Sequence, residues 1–143
     1  MLVLRIDGIE GIREGFKRLG AAGPKAAARL AHAVFEEVQD GADAHTKTGA
    51  LFQSVRLRKA PGGYLIDHDE RRAPHAEFVQ WGTKPHVIQP KNRKMLRWAH
   101  GKSFVFARFV RHPGYKGDPY MKRAAEDAPR HFERIIRQLQ REV

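Results

Sequence analysis

Cysteine is absent from this 143-residue chain, which removes both disulfides and thiolate chemistry and fits a reducing compartment. Long apolar runs are missing too. None approaches the roughly 20 residues that a bilayer crossing requires. The opening residues, MLVLRIDGIEG, lack the extended apolar stretch and small-residue cleavage site of a secretory signal. The expectation is a soluble protein, made in the cytoplasm, with no membrane partner. The third absence is local: between Glu77 and Asp118 there is no acidic residue at all.

What fills that interval is basic. It holds Lys84, Lys91, Arg93, Lys94, Arg97, Lys102, Arg108, Arg111 and Lys116, and the whole chain has 27 Lys and Arg against 16 Asp and Glu, a net charge of +11. Collecting charge of one sign is unfavourable unless something negative lies opposite, so the surface attracts nucleic acid, anionic lipid or an acidic protein. A solvated basic face without a partner is the plainer reading. A hydrophobic content of 41% and this length suit one folded domain, residues 1–143, with no internal repeat and no low-complexity tract.

Periodicity predicts an α+β fold, with helices at both ends of a small antiparallel sheet of four to five strands and an extended loop or arm. LVLRID, residues 2–7, reads as a short strand. Asp7 and Gly8 then open a helix with Ile9, Ile12, Phe16 and Leu19 on one face, interrupted by Gly20 and Gly23. Pro24 suits the first turn of a long helix running to about Ala44, with Ala27, Leu30, Ala31, Val34, Phe35 and Val38 at helical spacing. QSVRLRKA and YLIDHD, joined by Pro61, Gly62 and Gly63, read as a hairpin. Pro74 opens one or two helical turns carrying Phe78, Val79 and Trp81. PHVIQP is extended because each proline disfavours helix in the residue before it. MLRWAH and SFVFARFVRH read as two more strands turning near Lys102. Asp118 as N-cap and Pro119 as first residue begin a final long helix whose stripe is Met121, Ala124, Ala125, Ala128, Phe132, Ile135, Ile136, Leu139 and Val143, with Pro129 expected to kink or split it.

Signs of catalysis are sparse. His68 with Asp67, Asp69 and nearby His75 offers metal-ligand atoms, yet there is no HExxH, no helical His pair and no cysteine. Thr48, Ser54, Thr83 and Ser103 occupy no nucleophile elbow or Ser-x-x-Lys frame. APGG and HPGYKG have neither phosphate-loop spacing. His112, before Pro113 and Gly114, is a candidate general base of a small metal-independent nuclease, although HPG also reads simply as a turn. No cofactor is expected, and the chain does not read as an enzyme. Phe78, Trp81, Trp98, Phe104, Phe106 and Phe109 interleave with the cations as stacking platforms would, while aromatics in strands also commonly build a core. The residues alone leave two classes open, a nucleic-acid binder and a basic assembly protein.

TGAL at 48–51, HAEFVQWGTKPHVIQPKNRKMLRW at 75–98 and FARFVRHPGYKGDPYMKRA at 106–124 occur in an order that resembles the tail-completion, or head–tail joining, proteins of long-tailed bacteriophages of the Hong Kong 97 type. Over residues 24 to 128 the pattern is similar. It runs through a Thr-Gly-x-Leu after a long helix, an aromatic-Gly-Thr-x-x-His segment, a Pro-Lys with a Lys-x-Leu-x-aromatic strand, and a His-Pro-Gly link into the last helix. His75 stands where the family has tyrosine, and Gln80 where it has glutamate. The resemblance implies a non-enzymatic virion protein, a ring of identical subunits at the phage neck. Six copies would match a tail tube. Its partners would be head-completion or connector proteins and the tail tube protein, with transient contact to genomic DNA.

Residues implied to meet a neighbouring subunit or ring are Thr48, Gly49, Leu51, Trp81, Gly82, Thr83, Pro85, His86, Lys91, Arg93, Lys94, His112, Pro113 and Gly114. Contacts to an acidic partner or to DNA are expected from Lys91, Arg93, Lys94, Arg97, Lys102, Arg108 and Arg111.

Overall fold

The computed structural model describes residues 3–5 and 10–142. It has the expected α+β architecture. β1 (Val3–Arg5) is followed by α1 (Glu10–Leu19), a 3-10 turn (Gly20–Ala22) and the long α2 (Gly23–Asp43). α3 (Ala50–Ser54), the hairpin of β2 (Val55–Ala60) and β3 (Gly63–His68), and α4 (Ala76–Trp81) lead to four further strands. These are β4 (His86–Ile88), β5 (Leu96–His100), β6 (Ser103–Ala107) and β7 (Val110–His112), and α5 (Tyr120–Arg141) closes the chain. Leu2, Ile6, Asp7, Gly8, Ile9 and Val143, which figure in the sequence reading, lie outside the described residues, as do the side chains of Ile12 and Phe16.

Two helices make the frame. α2 begins with Pro24 in its first turn, where the missing N–H has no intrahelical acceptor to lose. Ala26, Leu30, Val34, Val38 and Ala42 recur every three or four residues and are buried. They face Met121, Ala124, Ala128, Ile135 and Leu139 of α5, which lies along α2. Closeness has a residue-level cause at Gly41, where a Cβ would stand 2.5 Å from the Tyr120 Cβ. Pro129 does not split α5. The residue is exposed, and the buried stripe on either side of it clamps the helix to α2, so the bond it cannot make is lost on the solvent face.

The expected sheet is distributed over three. β1, β3 and β2 form an antiparallel three-stranded sheet with β3 in the centre. Leu51, Val55 and Ile66 bring it and α3 into the same core as the helices. β4 pairs with β7, and β5 with β6, as separate two-stranded ribbons. The run SFVFARFVRH therefore breaks at Arg108 and Phe109 into β6 and β7. Its opposing chain spends seven residues, 89–95, where this side spends two, and Pro90 has no N–H to extend a ladder. α3 replaces what reads as the beginning of a strand at Gln53, since five helical residues are too few to show a period.

Among the described residues the polar groups inside the core are matched except Gln80 Nε2, which is buried without a partner. Asp67, fully buried, accepts both Arg56 Nε at 3.0 Å and Arg56 Nη2 at 2.9 Å from its cross-strand neighbour, and Arg58 as well. Ser54 Oγ donates to the Leu51 carbonyl at 2.6 Å and lies 2.6 Å from His68 Nδ1; Tyr120 Oη is 2.7 Å from His68 Nε2. With the serine proton already spent, Nδ1–H donates to Ser54 and Nε2 accepts from Tyr120, so a single neutral tautomer satisfies the chain. Burial, the largest influence, pushes the His68 pKa down to about 4; Asp67 opposes this and His75 adds to it.

The sign follows by linkage. Above pH 6.5 the ring is neutral in both states and nothing is lost. Below it the unfolded chain takes a proton that the folded ring refuses until about pH 4, so stability should fall through that window by roughly 3 kcal/mol. Urea midpoints measured from pH 8 to pH 4 check this. Tyr120→Phe at pH 7.5 should cost about 1–3 kcal/mol by leaving Nε2 without a donor.

Candidate functional site

From Gly82 to Gly117 the chain leaves the body and returns as one long arm. Thr83 and Tyr115 exchange backbone bonds of 2.8 and 2.9 Å at its base. Next come the β4–β7 rungs, His86 with His112, Val87 with Arg111 and Ile88 with Val110. Beyond the 89–95 loop the β5–β6 rungs run from Leu96 with Ala107 to His100 with Ser103, closed by the Gly101–Lys102 turn. Among the described residues each ribbon packs chiefly on itself.

Its root is rigid. Gly82, Gly114 and Gly117 have φ of +76°, +87° and +81°. A Cβ on Gly82 would fall on the Tyr115 carbonyl oxygen, one on Gly114 would lie 2.5 Å from the Thr83 oxygen, and one on Gly117 2.5 Å from the Gly82 nitrogen. Two backbones cross here at a separation that admits no side chain. Asp118 follows at once. Its N–H donates to the Val79 carbonyl at 2.8 Å, and its carboxylate takes Arg123 and, at 2.6 Å, His45 Nε2. Arg123 first and His45 second hold this carboxyl down at about 2. Asp118 is thus a clamp at the arm's exit and not the side-chain cap expected of it. Pro119 occupies the capping position of α5, and Gln80 Oε1 accepts the Met121 N–H at 3.3 Å.

Both faces of the arm are uncovered. In the β5–β6 ribbon, Leu96, Val105 and Ala107 are half-buried on one face beside Trp98, while Arg97, Phe104 and Phe106 share the other. Phe104 and Phe106 are 56% and 57% exposed, and the Arg97 guanidinium lies 4.6 Å from the Phe104 ring centre. Phe78, Trp81, Val87, Met95, Phe109 and Tyr115 are also exposed. All nine cations of the interval are exposed, and among the described residues none has an ion-pair partner.

The expected site residues divide accordingly. Trp81, Gly82, Thr83, Pro85, His86, Lys91, Arg93, Lys94, His112, Pro113 and Gly114 come together on the arm or at its root, with Arg97, Lys102, Arg108 and Arg111. Thr48 and Gly49 lie apart, at the start of α3, where Thr48 Oγ1 accepts the Ala50 N–H at 3.4 Å. Leu51 must be corrected: it is wholly buried and anchors α3 to the core, so it meets no partner. Gln80, beside Trp81, is buried and points inward.

His86 and His112 stack with ring centres 4.9 Å apart. His86 Nδ1–H donates to the Lys84 carbonyl at 2.7 Å, and His112 Nδ1 accepts the Gly114 N–H at 3.0 Å. No pattern announced the Asp118–His45–Arg123 clamp, in which His45 comes from 73 residues away. As for metal, Asp67 and His68 point to opposite faces of β3, each engaged by protein groups, and among the described residues no three His, Asp or Glu converge. No helix among the described residues is long and apolar enough to cross a membrane. No protein-family model, curated protein or solved structure matches the chain.

Gly82→Ala and Gly114→Ala should disrupt the root, at about 1–3 kcal/mol for the backbone conformation plus the steric conflict. Gly62→Ala has a similar φ of +80° but open space at Cβ, so it should show the conformational cost alone. Limited proteolysis checks this: the arm should be cut faster in the first two variants and at the wild-type rate in the third.

Proposed function

We propose that the protein is a non-enzymatic structural subunit of a phage neck, joining or completing the tail at the head–tail interface as part of a ring, and that the arm is its docking element. One observation carries the reading: a two-stranded ribbon, apolar on both faces and carrying only positive charge, stands away from the body with nothing over it. Two strands alone are marginal in water, and an exposed apolar surface of this kind marks a surface that another molecule covers. The resemblance in TGAL, QWGTKPH and HPGYKGDPY supplies the setting. QWGTKPH and HPGYKGDPY fall at the arm's root, where they set its direction, and TGAL falls apart from it at the start of α3. A rigid root favours assembly, since an arm already ordered loses less entropy on docking.

A second reading draws on the Arg97–Phe104 stack and the unpaired cations, which also suit nucleic acid, with His112 as base if strands are cut. The stack is a weaker guide than the bare aliphatic groups, Val87 and Ile88 among them, which a phosphate backbone does not cover.

Deleting the gene from its phage should leave filled heads beside separate, finished tails in electron micrographs of lysates. Lys91→Glu, Arg93→Glu and Lys94→Glu together should reproduce that phenotype while the thermal midpoint of the protein shifts by less than about 3 °C, because the three side chains are exposed. Infectious particles from the triple variant would refute docking through this loop. Salt-sensitive DNA binding or strand cleavage by the purified subunit would favour the second reading.

A further inference from the structure

The chain carries its own complement to the arm. Glu36, Asp40 and Asp43 are spaced four and three residues apart on α2, so they form one exposed stripe over its last two turns. Among the described residues no cation pairs with any of them, and the last turn of α2 holds no basic residue. Asp40 and Asp43 therefore sit at the negative end of the helix dipole, where acid is disfavoured unless a cation comes from elsewhere. The same helical face adjoins an open groove of about 430 Å³ between α2 and α5, with Ala28, Ala33 and Ile135 among its lining and Glu36 at its edge. At the groove's other end Lys25 and Arg29 are both taken by Glu142, at 2.8 Å each. A groove floored by Ala28, Ala33 and Ile135, with His32 and Arg134 also in its lining, runs into an unpaired acidic stripe and matches a ribbon of exposed aromatics and unpaired cations.

Among the described residues the arm's ribbons pack chiefly on themselves, which leaves Phe104, Phe106 and Val87 exposed. We infer that the arm of one copy docks on the C-terminal half of α2 of a second copy, with arm cations opposite Glu36, Asp40 and Asp43 and arm aromatics at the α2–α5 groove. This rests on the reading of the arm as a docking element and names its partner. Contact between two different patches is heterologous, so each copy offers one arm and one acceptor, and the chain of contacts closes when the rotation allows.

Sedimentation of the full-length wild-type protein at about 50 and 500 mM salt should show association that weakens with salt. Glu36→Lys, Asp40→Lys and Asp43→Lys in one variant, and Lys91→Glu, Arg93→Glu and Lys94→Glu in another, should each weaken self-association at least about a hundredfold. Both should keep wild-type circular dichroism. Mixing the two variants should restore association, because each retains one intact half of the contact.

A wild-type protein that stays monomeric, an α2 variant that associates normally, or a mixture that stays dissociated would overturn the inference. An arm variant that loses DNA binding while the α2 variant keeps its wild-type association would assign the arm to nucleic acid instead. Any of these, combined with separated heads and tails on gene deletion, would leave the neck function standing and remove only the self-docking.

Discussion

The Tyr120 hydroxyl donates to His68 Nε2 at 2.7 Å from the seam between α2 and α5, and that bond ties three elements at once. Through His68 it holds the central strand β3, and through Ser54 the end of α3. Its ring stacks on His45, whose other face of activity is Asp118 at the arm's exit. Gly41 is the notch that lets the ring reach this position. The body core and the arm's root are therefore registered against one side chain, so the direction in which the arm projects is set by the packing of the helices.

Charge and apolar surface are segregated along the same line. The arm has nine of the chain's 27 cations and none of its 16 acids. In the body, acids and cations meet as ordinary surface pairs, Lys17 with Glu14 or Lys122 with Glu126, each contributing little. Among the described residues, unpaired acid is found on α2 at Glu36, Asp40 and Asp43. A solvated basic face would explain the cations but not the bare Phe104, Phe106 and Val87 among them. The combination of desolvatable apolar groups with one sign of charge is what the proposed docking role calls for, since burial supplies affinity and charge selects the partner.

α2 and α5 were legible in the sequence because a buried face at a 3.6-residue period is a long signal, and the β2–β3 hairpin because Pro61 and Gly62 mark its turn. The break between β6 and β7 was not, since it depends on the unequal lengths of two facing segments far apart in sequence. Asp118 read as a cap because its local context is that of a cap. Arg123, five residues on, and His45, 73 residues back, claim it instead, and no local rule sees the second. The aromatics of the arm were ambiguous for a physical reason: alternation on both faces of a strand looks alike whether a second layer covers it or nothing does. The absence of acid between Glu77 and Asp118 was the more reliable signal.

A docking element can be held flexibly and ordered by its partner, or held rigidly and merely covered. The root excludes the first course. With three glycines at positive φ and backbone atoms where side chains would stand, the two chains at the base of the arm have one way to cross. The Asp118 clamp fixes the strand that returns from it. On the proposed docking role, order invested before any encounter would lower the entropy lost and fix the angle between neighbours. A fixed angle is what a closed assembly of identical subunits demands, because an error in each contact accumulates around the circuit. On the proposed reading the stiffness of the root and the nakedness of the ribbon are thus two parts of one design, in which the body sets the geometry of association and the arm leaves its faces for another molecule to bury.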